Sequence, residues 1–129
     1  MPERSTTCIA TALIAIIDDD RSLRIALSAL CRSAGFRVWD GASAEAFASA
    51  QWPGDCLITD LHLPGQDGLA LLRELRAAGD RRPAILISAR IHAELQTRCA
   101  AVTDCTLLPK PFDGCVLLEH LKRLTRRDP

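Results

Sequence analysis

The chain has 129 residues, 48% of them hydrophobic and 25% charged, which suits one soluble domain built on a single core. Its 16 basic residues balance 16 acidic ones, so nothing global argues for binding a nucleic-acid backbone. The apolar run from Ile9 to Ile17 is too short to span a bilayer, and with only Arg4 before it and three aspartates after it, it does not read as a signal peptide.

Residues 1–8 read as a loose tail. Ala12 to Ile17 is continuous apolar sequence, as expected of a strand buried on both faces of a parallel sheet, and it stops at Asp18-Asp19-Asp20. Helical spacing follows: Leu23, Ala26, Leu27, Leu30, Cys31 and Ala34 form one stripe, closed by Gly35. Phe36 to Trp39 is a short second strand. Ser43 can cap an Ala-rich helix running through Gln51 and stopped by Pro53-Gly54. The third strand, Cys56 to Thr59, delivers Asp60 at its carboxyl end. The chain breaks at Pro64-Gly65 and restarts behind Asp67 as a helix with Leu69, Leu72 and Leu75, ending near Gly79. Pro83 opens a fourth strand, Ala84 to Ile87, which ends in Ser88. Ile91 to about Ala101 is helical but weakly apolar, anchored by Leu95 and Cys99. Asp104 to Leu108 is the fifth strand, broken by Pro109-Lys110-Pro111, and the last helix is expected to pack through Val116, Leu117, Leu121 and Leu124. Five β-α units with short loops imply a parallel sheet covered by helices, with right-handed crossovers. The cysteines at 8, 31, 56, 99, 105 and 115 show neither C-x-x-C nor zinc spacing, and read as reduced thiols of a cytoplasmic protein.

Four strands end in polar groups: Asp18-Asp19-Asp20, Asp60, Ser88 and Lys110. In a doubly wound sheet these ends share one edge, so the groups can converge. Alone, each has an ordinary explanation: a strand-end Asp starts a turn, a Ser fills a loop, a Lys between prolines is solvated. Asp20 and Asp67 read best as caps of the helices that follow them. Together, the other groups make a site. Carboxylates crowded at one edge repel and call for a cation, for which Mg²⁺ with its oxygen ligands is suited. Lys110 and the Ser88 hydroxyl are what a phosphoryl group needs, and Asp60 is the candidate nucleophile.

On these residues the sequence resembles the receiver domains of two-component response regulators. The matching elements are Asp18-Asp19 after strand one, Asp60 in D-x-x-x-P-G-x-D-G, Ser88-Ala89 after strand four and Lys110-Pro111-Phe112 after strand five. The match runs over about residues 12 to 125 of a single domain occupying 1–129. The resemblance implies a (βα)5 flavodoxin-like, doubly wound parallel sheet with strand order 2-1-3-4-5. It implies that Asp60 accepts a phosphoryl group from a sensor histidine kinase or phosphotransfer protein, with no enzymatic activity beyond self-phosphorylation and autodephosphorylation. Asp19, Asp60 and the main-chain carbonyl of His62 would bind Mg²⁺ or Mn²⁺, with Asp18 acting through water. Ser88 and Lys110 would contact the phosphoryl oxygens, across a cis Lys110–Pro111 bond. The surface of the fourth helix, fifth strand and fifth helix would carry the output, to a partner protein, an output domain or a second copy in a homodimer. Neither membrane contact nor direct nucleic-acid binding is expected.

Three positions leave the common pattern. Leu107 stands where Tyr or Phe is usual, and His62 and Arg90 occupy positions that tune phosphoryl lifetime in the family. A Mg²⁺-dependent acyl-phosphatase-like hydrolase is the rival reading, disfavoured because no second acid/base motif follows Asp60. The basic end, Lys122 to Arg127, fits either a stand-alone receiver or the start of a linker to an output domain.

Overall fold

Runs of apolar residues become strands wherever both faces of the chain can be covered. The computed structural model describes residues 12–51 and 54–125. Its strands are β1 (Leu13–Ile17), β2 (Arg37–Gly41), β3 (Cys56–Asp60), β4 (Ala84–Ser88) and β5 (Cys105–Pro109). Its helices are α1 (Arg21–Ser33), α2 (Ala44–Ala50), α3 (Gly68–Ala77), α4 (Ala93–Ala100) and α5 (Gly114–Thr125). All pairings are parallel and the sheet order is β2-β1-β3-β4-β5, as the resemblance implied. The expectations for the N-terminal tail, Cys8, Pro53 and the arginines after Thr125 fall outside the described residues.

Alternation along the strands divides the core in two. Ile14, Ile16, Cys56, Ile58, Ile85 and Ile87 point to one face, where Leu27 and Cys31 of α1 and Leu117 and Leu121 of α5 cover them. Ala15, Ile17, Leu57 and Leu86 point to the other, under Phe47 of α2, Leu69 and Leu72 of α3 and Leu95 of α4. Each fully buried Leu or Ile contributes roughly 1.5–3 kcal/mol relative to exposure.

The caps follow the sequence closely. Asp20, Ser43 and Asp67 accept hydrogen bonds from the Leu23, Ala46 and Ala70 amides and start α1, α2 and α3. Gly35 and Gly79 follow α1 and α3 at φ 96° and 89°, left-handed values that favour glycine. At the opposite edge from the strand ends, the Arg76 guanidinium donates to the Thr103, Asp80 and Arg82 carbonyls at 2.7–2.8 Å, tying two loops together.

The expectation for Val116 is corrected. It is 40% exposed, whereas Leu117 and Leu121 are fully buried and Leu124 packs at the margin. The buried set runs i, i+4, i+7 from Leu117, and Val116 lies about 100° off that stripe. Pro109 also ends β5 rather than breaking it, pairing with Ser88. β5 is an edge strand, where a missing N–H costs no ladder bond.

Gly68 opens α3 directly beneath the end of β3. A Cβ there would collide with the Asp60 carbonyl oxygen and lie 3.0 Å from both Leu86 Cδ1 and Thr59 Oγ1. Gly68→Ala is therefore expected to cost ~1–3 kcal/mol in urea denaturation, because backbone must shift to admit the methyl. Gly114→Ala, whose Cβ would meet only flexible Leu30 methyls at 3.3 and 3.6 Å, should stay within ~0.5 kcal/mol of the parent.

Candidate functional site

The carboxyl ends of β1, β3 and β5 bring Asp18, Asp19, Asp60 and Lys110 together, as the strand order requires. One carboxylate oxygen from each of the three aspartates lies within 4.8 Å of the others. Lys110 Nζ stands 3.0 Å from Asp60 Oδ1 and 3.9 Å from Asp18 Oδ2. Asp18 is 1% and Asp60 6% exposed, while Asp19 faces solvent. Three carboxylates against one ammonium leave the edge formally two charges negative. At an effective dielectric constant of ~20, each carboxylate pair at this spacing repels by about 3–4 kcal/mol.

Asp18 shows the consequence. Its Oδ1 accepts from the Asp20 amide at 2.8 Å, but its buried Oδ2 has no hydrogen-bond partner. Burial pushes its carboxyl above the ordinary carboxylate value. The Asp20 amide opposes that rise, the Asp60 charge adds to it, Lys110 offsets part and Asp19 adds again. Hard oxygen donors, excess negative charge and an unsatisfied buried oxygen are the donor set of a small divalent cation.

Ser88 reaches the same edge, yet its hydroxyl is turned into its own loop. It donates to the Arg90 carbonyl at 2.9 Å and accepts from the Arg90 amide at 3.2 Å. His62 and Arg90 are both exposed near the strand ends. Leu107 is half-buried on β5, facing Ile91 and α4 around a hollow of about 250 Å³. The Lys110–Pro111 peptide is cis, as the resemblance implied.

Sequence reasoning missed two supports of the site. Arg24 on α1 donates to the Asp18 carbonyl at 2.7 Å and pairs with Asp40 at 3.4 Å, fixing the loop that carries the acidic pair. Nothing local in the sequence marks this arginine of α1 for the task. Gly68 is the other, and its position just after Asp67 was the available signal. A mostly apolar groove of about 580 Å³ borders the site, lined by Leu23, Ala26 and Leu27 of α1 with Lys110, Pro111 and Phe112.

The family model of the response regulator receiver domain matches residues 14–122. The transcriptional regulatory protein FixJ of Azorhizobium caulinodans is 35% identical over 109 residues, covering 83% of this chain and 52% of the relative. The C4-dicarboxylate transport transcriptional regulatory protein DctD of Rhizobium meliloti is 37% identical over 119 residues, covering 88% of this chain and 25% of the relative. The chain thus spans about half or less of the length of these relatives. Among solved structures, the chemotaxis response regulator CheY4 of Vibrio cholerae superposes with a TM-score of 0.79 at 26% identity, covering 88% of this chain and 98% of that one.

The raised Asp18 carboxyl has a signed consequence for metal-free protein. Its folded value lies above the unfolded one, so the folded chain binds more protons in the window above 3.8, and stability falls as pH rises through it. Asp18→Asn keeps an acceptor for the Asp20 amide and removes the charge. In melts with EDTA, the variant is expected to exceed the parent in Tm at pH 7, with the gap closing near pH 4.

Proposed function

The chain belongs to the response regulator receiver domain family, and on that premise we propose that it is a phosphorylation-controlled switch whose Asp60 takes a phosphoryl group from a sensor histidine kinase or phosphotransfer protein. The observation that carries the reading is the 3.0 Å contact between Lys110 Nζ and Asp60 Oδ1 at the central strand's end. An Asp60 carboxylate oxygen attacks phosphorus, the bond to the donor imidazole nitrogen breaks, and an aspartyl phosphate remains. Lys110 neutralises charge on the phosphoryl oxygens. Asp19, Asp60 and the His62 carbonyl would hold Mg²⁺ or Mn²⁺, with Asp18 acting through water and gaining a partner for its orphaned oxygen. When bound, that ion supplies the positive charge this edge lacks.

Ser88 engages the phosphoryl group by giving up its bond to the Arg90 carbonyl, which moves the β4–α4 loop. His62 and Arg90, exposed beside the strand ends, set how readily water reaches the phosphoryl group. The donor docks on the apolar groove of α1, because Lys110 belongs both to that groove and to the site. Output runs through the surface of α4, β5 and α5 to a partner protein, an output domain or a second copy, and the protein works in the cytoplasm. Among the described residues no helix is long and apolar enough to cross a membrane. No observation favours the acyl-phosphatase-like alternative.

With acetyl phosphate and millimolar Mg²⁺, the parent is expected to gain one phosphoryl mass and to melt higher than with EDTA. Asp60→Asn should fold and take no label, and Asp19→Ala should lose the metal-dependent Tm shift. Labelling of the Asn variant at the parent rate would overturn the assignment of Asp60. Ala26→Arg should slow transfer from the donor protein severalfold and leave acetyl phosphate labelling unchanged.

Leu107 stands where an aromatic ring is usual, and its smaller side chain lines the hollow beside Ile91 and Cys99, with room to turn inward or outward. At ~25 cal/mol per Å² of apolar surface, the two rotamers differ little in burial, and a ligand shifts an equilibrium only by its differential interaction. Leu107→Ala is expected to lower stability but to change phosphorylation-dependent partner binding by no more than about threefold. A well-folded, normally labelled variant that has lost its output would place the switch at Leu107.

A further inference from the structure

Two thiols meet under the surface assigned to output. Cys99, on the last turn of α4, and Cys105, at the first position of β5, have their sulfurs 2.9 Å apart, and Cys99 Sγ also points at the Cys105 carbonyl at 3.9 Å. Both are free, and a disulfide needs its sulfurs only about 0.9 Å closer, at ~2.05 Å. The hollow of about 250 Å³ beside Leu107 is lined by both sulfur-bearing residues together with Ile91, Gln96 and Ala100. Gln96 and Ala100 on its rim are exposed to solvent, and Cys105 is partly exposed. A molecule the size of hydrogen peroxide, about two waters of ~30 Å³ each, fits there. Among the described residues the other thiols have no such arrangement: Cys31 and Cys56 are buried in the opposite core and pushed up by burial to about 11 and about 12, and Cys115 stands exposed on α5.

We propose that Cys99 and Cys105 are a peroxide-responsive thiol pair, whose oxidation closes an intramolecular disulfide tying α4 to β5. One sulfur, as thiolate, attacks a peroxide oxygen; the O–O bond breaks, hydroxide leaves, and a sulfenic acid forms. The second sulfur attacks the sulfenic sulfur, the S–O bond breaks, and the S–S bond forms. The two thiol protons end on the two released hydroxides, so two thiols and one peroxide yield one disulfide and two waters. A dithiol reductant reverses the change. Burial, and then Cys99 itself, push the Cys105 thiol up, against a smaller lowering by Arg76, so Cys105 offers less thiolate at neutral pH than a free thiol and more in alkali.

The disulfide stands on the geometry alone; its regulatory effect rests on the receiver reading. α4 is held by few groups, with Leu95 and Cys99 its buried residues and the His92 ring its cap. A covalent link from its last turn to β5 restrains the element that must move for output. Oxidised protein would still accept a phosphoryl group at Asp60 and would no longer transmit it.

The test uses the full reduced chain treated with hydrogen peroxide in EDTA, then alkylated and digested with trypsin. Cys99, Cys105 and Cys115 share one tryptic peptide, from Cys99 to Lys122. The expected product lacks two hydrogens, carries alkyl only on Cys115, and regains two alkylation sites after dithiothreitol. Amide exchange in α4 should slow roughly tenfold on oxidation. Labelling of Asp60 by acetyl phosphate should persist, while the phosphorylation-induced change in α4 exchange is lost. Cys99→Ala and Cys105→Ala should each abolish closure and keep the exchange change under peroxide. Full alkylation of Cys99 and Cys105 after peroxide, or cross-linking only through Cys115 or Cys8, would overturn the pair. A closed disulfide in a chain that takes no phosphoryl label would instead overturn the receiver reading and leave the pair standing.

Discussion

Crowded carboxylates at the end of a parallel sheet set the terms for the rest of the structure. Asp18 and Asp60 are almost wholly covered and share one ammonium, Lys110, which stands 3.0 Å from Asp60. For Asp18, burial raises the carboxyl above its ordinary value, the Asp20 amide and Lys110 oppose the rise, and the Asp60 and Asp19 charges add to it. The arrangement persists because Asp60 is held through its main chain. Leu61 donates to the Ile87 carbonyl at 2.8 Å, Gly68 donates to the Leu61 carbonyl at 2.9 Å, and Thr59 Oγ1 donates to the Asp60 carbonyl at 3.0 Å. The stability lost to repulsion is recovered by the two apolar layers on which the sheet rests.

The opposite edge of the sheet is built the other way, with its charges satisfied. Arg76 caps carbonyls of two loops, and Arg82 lies over the Phe47 ring at 5.5 Å while bonding Asp80. That hydrogen-bonded guanidinium outweighs burial and holds the Asp80 carboxyl below its ordinary value. One edge is thus locked and the other is poised, which is the division that strand polarity gives an open α/β sheet.

Between the edges, α4 is a lightly secured helix. It has eight residues, two of them buried, and its cap is the His92 Nδ1, which accepts from the Leu95 amide at 3.2 Å. A hollow beside Leu107 and a pair of facing thiols lie beneath it. Elements that change state are drawn from the least stable parts of a fold, because a small free energy must suffice to move them. The β4–α4 loop, held by the two Ser88–Arg90 bonds, leads directly into this helix.

Periodicity along the chain fixed the five strands, the five helices, the caps at Asp20, Ser43 and Asp67, and the placing of Asp18, Asp19, Asp60, Ser88 and Lys110 at strand ends. These are local properties, set by where apolar residues recur and where Pro, Gly or Asp interrupts them. Strand order followed from the family resemblance, since composition and spacing do not specify which strand lies beside which. Only the tertiary structure decided which carboxylate is buried and which is exposed. Asp18 and Asp19 are adjacent in sequence and fall on opposite sides of that line, because Gly41, α1 and Lys110 close over one alone. The turn of Ser88 toward Arg90, the exposure of Val116, the Arg24 brace under Asp18 and the meeting of Cys99 with Cys105 were likewise beyond sequence reading. Each depends on the register and packing of separate elements, where one residue's difference in rotation turns a side chain from core to solvent.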